Sequence, residues 1–162
     1  MGAYGTDVEV WTTNDVPGCP NGGLLSDTDG KDLLNGKGGA EKIHGLGDKD
    51  ELIGGMGSDV IYGGPGDDGR LSRDRGDDVI YGGDGNEGWL AGAAGEDILY
   101  GGNGNDKLDG LDHSIGLPVG PTVRDELYCG PGKDKYAADR LDYVDSSCEK
   151  KEKEISGGGG IA

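Results

Sequence analysis

The sequence predicts an all-β fold made of stacked copies of one short unit, and two observations support this prediction. A nine-residue phrase recurs along the chain, most clearly in residues 57–65, 76–84 and 95–103. Each copy combines a glycine-rich turn, one acid and one large aliphatic residue. Repetition at a short fixed period is typical of solenoids, because each unit buries its apolar side against its neighbours.

The repeat keeps its register over nine consecutive rows, of which seven hold nine residues and two hold ten. The rows open at Gly30, Gly39, Asp48, Gly57, Gly66, Gly76, Gly85, Gly95 and Gly104. The third position of every row is an acid: Asp32, Glu41, Asp50, Asp59, Asp68, Asp78, Glu87, Asp97 and Asp106. An aliphatic residue follows each acid by two or three positions: Leu34, Ile43, Leu52, Ile61, Leu71, Ile80, Leu90, Leu99 and Leu108.

Each row predicts one turn followed by one minimal strand. The aliphatic residue and its two neighbours form the strand, and the glycine-rich stretch before them forms the turn. Because side chains alternate along a strand, the aliphatic side chain points inwards and its neighbours point outwards. The glycines permit positive φ angles and let backbone carbonyl groups come close to a bound ion.

The composition indicates that apolar burial alone does not hold this chain together. Its 162 residues include 37 glycines and no phenylalanine, and 32 acidic residues against 15 basic ones give a formal net charge of −17. The length predicts a single domain. Low hydrophobicity with high net charge favours disorder in an isolated chain, so we expect a further stabilising component that the repeated acids attract.

The phrase G-G-x-G-x-D-x-U-x, in which U is a large aliphatic residue, resembles the RTX (hemolysin-type) calcium-binding nonapeptide-repeat family. The resemblance covers residues 30–112 closely. It covers residues 125–145 more loosely, where Leu127, Tyr136 and Val144 continue the inward spacing. The resemblance implies a right-handed parallel β-roll, a β-solenoid in which two units form one 18-residue coil and coils stack about 4.8 Å apart.

The family resemblance also implies several Ca²⁺ ions between the turns of adjacent coils, since Ca²⁺ takes six to eight oxygen ligands from carboxylates and carbonyls. The expected carboxylate ligands form two ladders on alternate rows. One ladder contains Asp32, Asp50, Asp68, Glu87 and Asp106, and the other contains Glu41, Asp59, Asp78 and Asp97. The turn glycines expected at the sites are Gly57, Gly64, Gly66, Gly76, Gly83, Gly85, Gly95, Gly102 and Gly104.

Two consequences for the ladders follow from elementary chemistry. The extra methylene of Glu41 and Glu87 moves the carboxylate, so sites that use them are expected to be disturbed. Stacked acids repel one another when no cation lies between them, so folding and Ca²⁺ binding are expected to be one event.

The extra residues of the two ten-residue rows are Gly69 and Gly88, which follow an acid in both cases. Both rows belong to the same ladder, so we expect the two bulges to stack and leave the register intact. This arrangement makes Arg70 and Trp89 neighbours on adjacent coils and predicts a cation–π contact between them.

A second individual feature is the tyrosine face, an apolar outer surface made of Val60, Val79 and Ile98 beside Tyr62, Tyr81 and Tyr100. His44 is expected one rung beyond Tyr62. One interpretation is that another part of this chain covers the face, and the alternating segment 8–13 is a candidate. The other interpretation is a docking surface for a second subunit, a partner or a carbohydrate.

The three cysteines leave several pairings open. The segment from Cys129 to Cys148 resembles the closing segment of secreted bacterial relatives, in which a Cys129–Cys148 disulfide would tie the last coil. A zinc site is the alternative, although the chain has no C-x-x-C pair. Cys19 is free, bridges two chains or pairs with one of the other two.

We expect five segments: an N-terminal strand or cap in residues 1–25, calcium-binding repeats in 26–111, a loop insertion in 112–124, degenerate C-terminal coils and a cap in 125–148, and a tail in 149–162. No cleavable leader is visible, so a secretion signal is expected to have been removed or to belong to a longer parent chain. Disulfides and Ca²⁺ sites both favour an extracellular or cell-surface location.

Several functions are disfavoured. The acidic balance disfavours nucleic acid and anionic membranes as partners, and no apolar run is long enough to insert into a membrane. The two histidines, His44 and His113, have no evident nucleophile or cleft beside them, so we expect no enzymatic activity.

The function that the sequence favours is an extracellular calcium-binding β-roll with a structural or adhesive role. It folds on Ca²⁺ binding and forms homo-oligomers or filaments through the tyrosine face or the coil ends. One alternative is a secretion and folding module of a larger secreted enzyme. Ice binding is less favoured, because the outward turn positions contain no row of threonines.

Overall fold

The computed structural model describes residues 9–11, 23–26, 29–71, 75–112 and 123–152. These residues form short strands and no helix. The strands are β1 Glu9–Trp11, β2 Leu24–Ser26, β3 Leu33–Asn35, β4 Lys42–His44, β5 Glu51–Ile53, β6 Val60–Pro65, β7 Arg70–Leu71, β8 Val79–Asp84, β9 Leu90–Ala91, β10 Ile98–Asn103, β11 Lys107–Asp109, β12 Glu126–Tyr128, β13 Lys135–Ala137, β14 Tyr143–Val144 and β15 Lys150–Lys151.

The strands alternate between two parallel sheets. The odd-numbered strands form an eight-stranded sheet in chain order, and the even-numbered strands form a seven-stranded sheet in chain order. Successive strands therefore change sheet at every turn, which winds the chain into a β-solenoid of about six turns. This arrangement confirms the predicted all-β roll.

The core is a single file of inward side chains from each sheet. The inward aliphatic residue of each of the nine predicted rows is at most 2% exposed. Leu25 begins the file at the N-terminal end, and Leu127, Cys129 and Ala138 continue it towards the C-terminus. Most strands thus contribute one side chain to the core, and the buried acids of the turns lie on both sides of it.

The two glycine bulges stack as the sequence predicts. The Gly69 amide donates to the Asp50 carbonyl at 2.8 Å, and the Gly88 amide donates to the Asp68 carbonyl at 2.7 Å. Leu71 pairs with Leu90 directly after the bulges. The insertions therefore lengthen two coils equally and leave the register intact.

The predicted cation–π contact between Arg70 and Trp89 is wrong. The Arg70 guanidinium lies 3.6 Å from a carboxylate oxygen of Glu51, which is paired with Arg70 on the preceding coil. In the described part of the chain the cation–π contacts are those of Lys42 with Tyr62 and Arg124 with Tyr143. A full negative charge within reach attracts the guanidinium more strongly than a ring quadrupole does.

The interruption of the repeat does not interrupt the stack. The predicted loop falls largely on residues 113–122, which lie outside the described residues. On either side of them Leu99 pairs with Leu127, and Leu108 pairs with Tyr136. The coils after the interruption therefore continue both sheets directly.

The N-terminal strand joins the odd-numbered sheet. Strand β1 pairs in parallel with β3, and Val10 lies opposite Leu34. The tyrosine face belongs to the even-numbered strands β6, β8 and β10. The hypothesis that segment 8–13 covers this face is therefore wrong for Glu9–Trp11, and the rest of that segment lies outside the described residues.

A disulfide between Cys129 and Cys148 closes the last coil, with the two Cα atoms 5.0 Å apart. This pairing selects one of the alternatives that the sequence leaves open and removes both thiols from any zinc site. Cys19 lies outside the described residues. Within the described ranges there is no helix long and apolar enough to cross a bilayer.

Candidate metal sites

The repeated acids lie inside the turns of the roll. All nine are buried, and the most accessible of them, Asp32, is 4% exposed. Burying a carboxylate is costly unless hydrogen bonds or a cation compensate for the lost water. The repeated burial therefore indicates that each turn is built to satisfy an acid.

Where an aspartate follows in a ladder, its Oδ1 atom accepts a hydrogen bond from the backbone amide of the ladder acid on the preceding coil. In one ladder the Asp50 amide donates to Asp68 Oδ1 at 2.9 Å. In the other, the Asp59 amide donates to Asp78 Oδ1 and the Asp78 amide to Asp97 Oδ1, both at 2.8 Å. Alternate rows thus lie on the same side of the roll, as predicted, and the acids form two ladders.

The second carboxylate oxygen has a different environment. Asp68 Oδ2, Asp97 Oδ2 and Asp106 Oδ2 are buried and have no hydrogen-bond partner. A buried charged oxygen left in this way costs several kcal/mol in order of magnitude. These oxygens are therefore the atoms in the described structure that most require a cation.

Each of these oxygens faces a glycine of its own turn. A Cβ added to Gly63 would collide with Asp68 Oδ2, and it would lie 2.5 Å from the Gly82 carbonyl oxygen. A Cβ added to Gly101 would lie 2.7 Å from Asp106 Oδ2 and 2.5 Å from the carbonyl oxygen of Cys129. The absence of a side chain lets a carboxylate oxygen and a carbonyl oxygen from the next coil approach the same glycine closely.

This first glycine of the turn is a site feature that the sequence analysis missed. It stands five residues before the acid, as in Gly63 before Asp68 and Gly92 before Asp97. The signal was present in the sequence, because four of the nine rows carry two successive glycines and only the second glycine of a pair was assigned to the sites.

The turn glycines that were predicted all adopt positive φ, between +108° and +158°. A Cβ added to any of them would meet the carbonyl oxygen of the corresponding turn residue on the preceding coil, as at Gly102 against the Gly83 carbonyl. These glycines therefore allow the turn backbones to nest coil upon coil, which stacks their carbonyl groups beside the acids.

Three of the buried acids, Glu87, Asp97 and Asp125, carry strongly raised pKa values. Burial raises the pKa of Glu87 to about 9, and the carboxyl group of Asp106 and the charge of Asp68 add to the shift. Burial likewise raises the pKa of Asp97 to about 6 and the pKa of Asp125 to about 8. In the absence of a cation the turns therefore disfavour the ionised form of these acids.

Glu87 interrupts its ladder. Both of its carboxylate oxygens are buried and have no hydrogen-bond partner, so the step from Asp68 to Glu87 lacks the amide-to-carboxylate bond of the other steps. Its own amide still donates to Asp106 Oδ1 at 3.1 Å. The additional methylene thus displaces this carboxylate from the position that the aspartates occupy.

The ladders continue beyond the residues that the sequence analysis assigned. The Asp97 amide donates to Asp125 Oδ1 and the Asp106 amide to Asp134 Oδ1, both at 2.9 Å, and the Asp125 amide donates to Asp142 Oδ1 at 3.1 Å. Each of the three added acids stands two residues before an inward residue, which is the spacing of the earlier rows.

Carboxylates alone do not form a metal centre here. Across the described ranges, no three His, Cys, Asp or Glu side chains converge as a metal-binding group. An ion in these turns would take many of its oxygens from backbone carbonyls, which Ca²⁺ accepts readily. His44 lies at the end of the stacked tyrosines, and His113 lies outside the described residues.

Comparison with known protein families matches residues 35–69, 74–87 and 88–112 to the RTX calcium-binding nonapeptide repeat, in four copies. The matched segments contain every ladder acid from Glu41 to Asp106. No curated protein and no solved structure matches the chain.

Proposed function

Residues 35–112 of this chain are RTX calcium-binding nonapeptide repeats, and from this premise we propose that the protein is an extracellular structural protein whose β-roll folds when Ca²⁺ binds. It has no catalytic role in this proposal. The observation that carries it is the row of buried carboxylate oxygens without hydrogen-bond partners, among them those of Asp68, Asp97 and Asp106.

Asp68, Asp97 and Asp106 would hold the ions together with backbone carbonyl oxygens that lie near them in the turns, such as those of Gly82 and Cys129. Bound Ca²⁺ would supply positive charge that compensates the buried carboxylates. The chain itself fixes one oxygen of each of these acids through a backbone amide and leaves the other without a hydrogen-bond partner. The hydrogen bond from the backbone amide thus orients the carboxylate before an ion binds.

An extracellular location agrees with two properties of the chain. The Cys129–Cys148 disulfide is of a kind that persists in oxidising compartments. Sites assembled largely from carbonyl oxygens have modest affinity and suit the millimolar Ca²⁺ found outside cells.

A Ca²⁺ titration followed by far-ultraviolet circular dichroism and isothermal calorimetry tests the coupling of folding to binding. We expect a cooperative rise of sheet signal with Ca²⁺ and little response to the same concentration of Mg²⁺, which demands a smaller octahedral site. The same sheet content and melting behaviour in chelator and in Ca²⁺ would refute the proposal.

Self-assembly is the part of the proposal that concerns the outer surface. The tyrosine face is partly exposed, with Tyr81 at 36%, and the ends of a solenoid carry strands with one unpaired edge. Light scattering and electron microscopy in Ca²⁺, with and without reductant, test this role. A monomer that persists at high concentration in both conditions argues against it.

A further inference from the structure

A groove runs beside the tyrosine face, parallel to the coil axis. Strands β6, β8 and β10 continue two residues past their tyrosines, where Gly64, Gly83 and Gly102 lie in register. These positions carry no side chains, so they form the floor of a shallow, open groove of about 730 Å³, which we call the glycine groove. Its walls are Tyr100 and Tyr128 on one side and Pro65, Asp84, Asn103 and Pro131 on the other.

The tyrosine wall presents ring edges to the groove. Tyr81 and Tyr100 stack with centroids 4.8 Å apart and planes 3° apart, and Tyr100 and Tyr128 stack at 4.9 Å and 14°. Each ring therefore covers the faces of its neighbours and leaves its edge accessible, and the Tyr128 hydroxyl donates to Glu126 Oε2 at 3.0 Å. A carbohydrate needs an open ring face for stacking, so this geometry disfavours the carbohydrate partner that the sequence suggested.

Ring edges favour a different ligand. The edge of an aromatic ring carries partial positive charge and attracts the negative face of another ring, in an edge-to-face arrangement. A flat aromatic molecule that stands on its long edge along the glycine floor can place the face of an electron-rich ring against this wall. The floor spans four coils, from Gly64 to Gly130, which is roughly 14 Å at the spacing of parallel strands.

The charge of the groove selects the sign of the ligand. Asp84 and Asp145 are both part of the lining, and no basic side chain belongs to it among the described residues. The chain as a whole has a formal net charge of −17. A cation is therefore attracted both by the two acids that line the groove and by the negative field of the entire molecule.

We propose that the glycine groove binds flat aromatic cations lengthwise, with the face of an electron-rich ring against the edges of Tyr100 and Tyr128 and the cationic part of the molecule beside Asp84. The floor glycines belong to turns that the sequence analysis also assigned to the Ca²⁺ sites, whereas the carboxylates of those sites lie inside the roll. The open glycine floor admits a flat ligand, the stacked tyrosines favour an aromatic one, and the acids of the lining favour a cationic one.

Thioflavin T, a flat monocationic dye, is the probe. It is titrated into the Ca²⁺-loaded full chain, and circular dichroism of the same sample first verifies that the roll has formed, so that a failure to fold is distinguished from a failure to bind. We expect saturable binding at about one dye per chain, with induced circular dichroism of the dye and weaker binding at high salt.

Two substitutions and a matched control test the contacts. Tyr100→Leu removes a ring edge and Asp84→Asn removes a rim charge, and each is expected to weaken binding about fivefold. Asp67→Asn is the control. Asp67 accepts a hydrogen bond from the Asn86 side chain much as Asp84 accepts one from Asn103. The Asp67→Asn substitution therefore makes the same change of charge, but at a residue that does not line the groove. It is expected to leave the affinity unchanged.

Several outcomes overturn the proposal. An anionic dye such as anilinonaphthalene sulfonate that binds equally tightly shows general apolar adsorption. Equal weakening by Asp67→Asn and Asp84→Asn shows that only the net charge matters. A dye signal that sediments with aggregates shows that the monomer has no site. Should Tyr100→Leu lose the roll, Tyr128→Leu replaces it, and full retention of binding in that variant counts against the groove.

Discussion

At the scale of single residues, the two oxygens of a turn aspartate have different partners. Oδ1 of Asp78 accepts the amide of Asp59, and the Asp78 amide donates in turn to Asp97. In several other rows the second oxygen faces a turn glycine, as Asp59 Oδ2 does at Gly54 and Asp97 Oδ2 does at Gly92. Asp78 therefore takes part in the hydrogen bonds of two successive coil steps.

Asp78→Ala is expected to raise the Ca²⁺ concentration at the folding midpoint more than Asp32→Ala does, because Asp78 lies between two coils that both carry ladder acids. The substitution also leaves the buried amide of Asp59 without its acceptor, a loss of about 1–3 kcal/mol. Circular dichroism midpoints in Ca²⁺ titrations measure the difference.

Asp78→Asn is the matched control for that comparison. It keeps an oxygen acceptor for the Asp59 amide and removes only the charge, so it separates the hydrogen bond from the interaction with the cation. Equal midpoints for Asp78→Ala and Asp32→Ala would contradict the shared role of Asp78.

Glu87→Asp is expected to lower the Ca²⁺ midpoint. The shorter side chain brings the carboxylate to the position of the other ladder acids, where it can accept the Asp68 amide that Glu87 does not reach. A calorimetric titration of the variant against the natural chain tests this. Glu87→Gln keeps the length and removes the charge, and improved binding in Gln as well as in Asp would show that length is not the cause.

At the scale of elements, the last coil is the least well packed. The inward residues Tyr136 and Val144 are only partly buried, whereas the inward residues of the central coils are fully buried. The Cys129–Cys148 disulfide spans a sequence separation of 19 in this region. The covalent link thus lies where the apolar core is thinnest.

Replacing both Cys129 and Cys148 with serine is expected to destabilise the C-terminal coil by about 3 kcal/mol, since the disulfide closes a loop of roughly 20 residues in the unfolded chain. Hydrogen exchange should accelerate over 135–151 more than over the central coils. Reduction of the natural chain should give the same pattern, and uniform or unchanged exchange in both samples would contradict a local role for the disulfide.

At the scale of the whole molecule, charge is balanced against burial. The chain carries a net charge of −17 and buries its ladder acids in the turns. Self-repulsion of this size opposes compaction. Protons and divalent cations both reduce this repulsion inside the roll. The stability of the roll is therefore expected to depend on pH and on the Ca²⁺ concentration.

The metal-free roll is expected to lose stability as the pH rises. The folded-state pKa values of Glu87, about 9, and Asp125, about 8, are raised above their ordinary values near 4, mainly by burial. Between these limits the folded chain binds protons that the unfolded chain has released, so raising the pH favours unfolding.

Circular dichroism in chelator from pH 5.5 to pH 9 tests this, above the sequence pI of about 4.2 where low net charge promotes precipitation. Sheet content should fall across the window without Ca²⁺ and should hold with saturating Ca²⁺. A constant or rising sheet signal in chelator would contradict the expected linkage.

Much of the fold was predictable because one short pattern specifies it repeatedly. Inward aliphatic residues, alternate acid ladders and the stacked bulges at Gly69 and Gly88 all follow from position within the row, and the structure confirms each. The later acids Asp125, Asp134 and Asp142 were not assigned, because the intervening segment 113–122 disrupts the count along the sequence without disrupting the stack.

Other features depended on competition between neighbours that the repeat does not specify. Arg70 had both Trp89 and Glu51 within reach on adjacent coils, and the full charge prevailed. The tyrosines were placed in one column by sequence, but the stacking that leaves only their edges accessible depends on side-chain torsions. The partner of Arg70 and the orientation of the tyrosine rings depend on contacts between coils, which the sequence of a single row does not specify.

The sequence by itself therefore determined the roll, its register and the two acid ladders, because a fixed period assigns every side chain to the inside or the outside of a strand. Only the tertiary structure decided which carboxylate oxygen lacks a hydrogen-bond partner, which glycine that oxygen approaches closely and where the glycine groove lies. Those features arise where coils about 18–19 residues apart in the chain come within one strand spacing of each other, and local pattern carries no information about that distance.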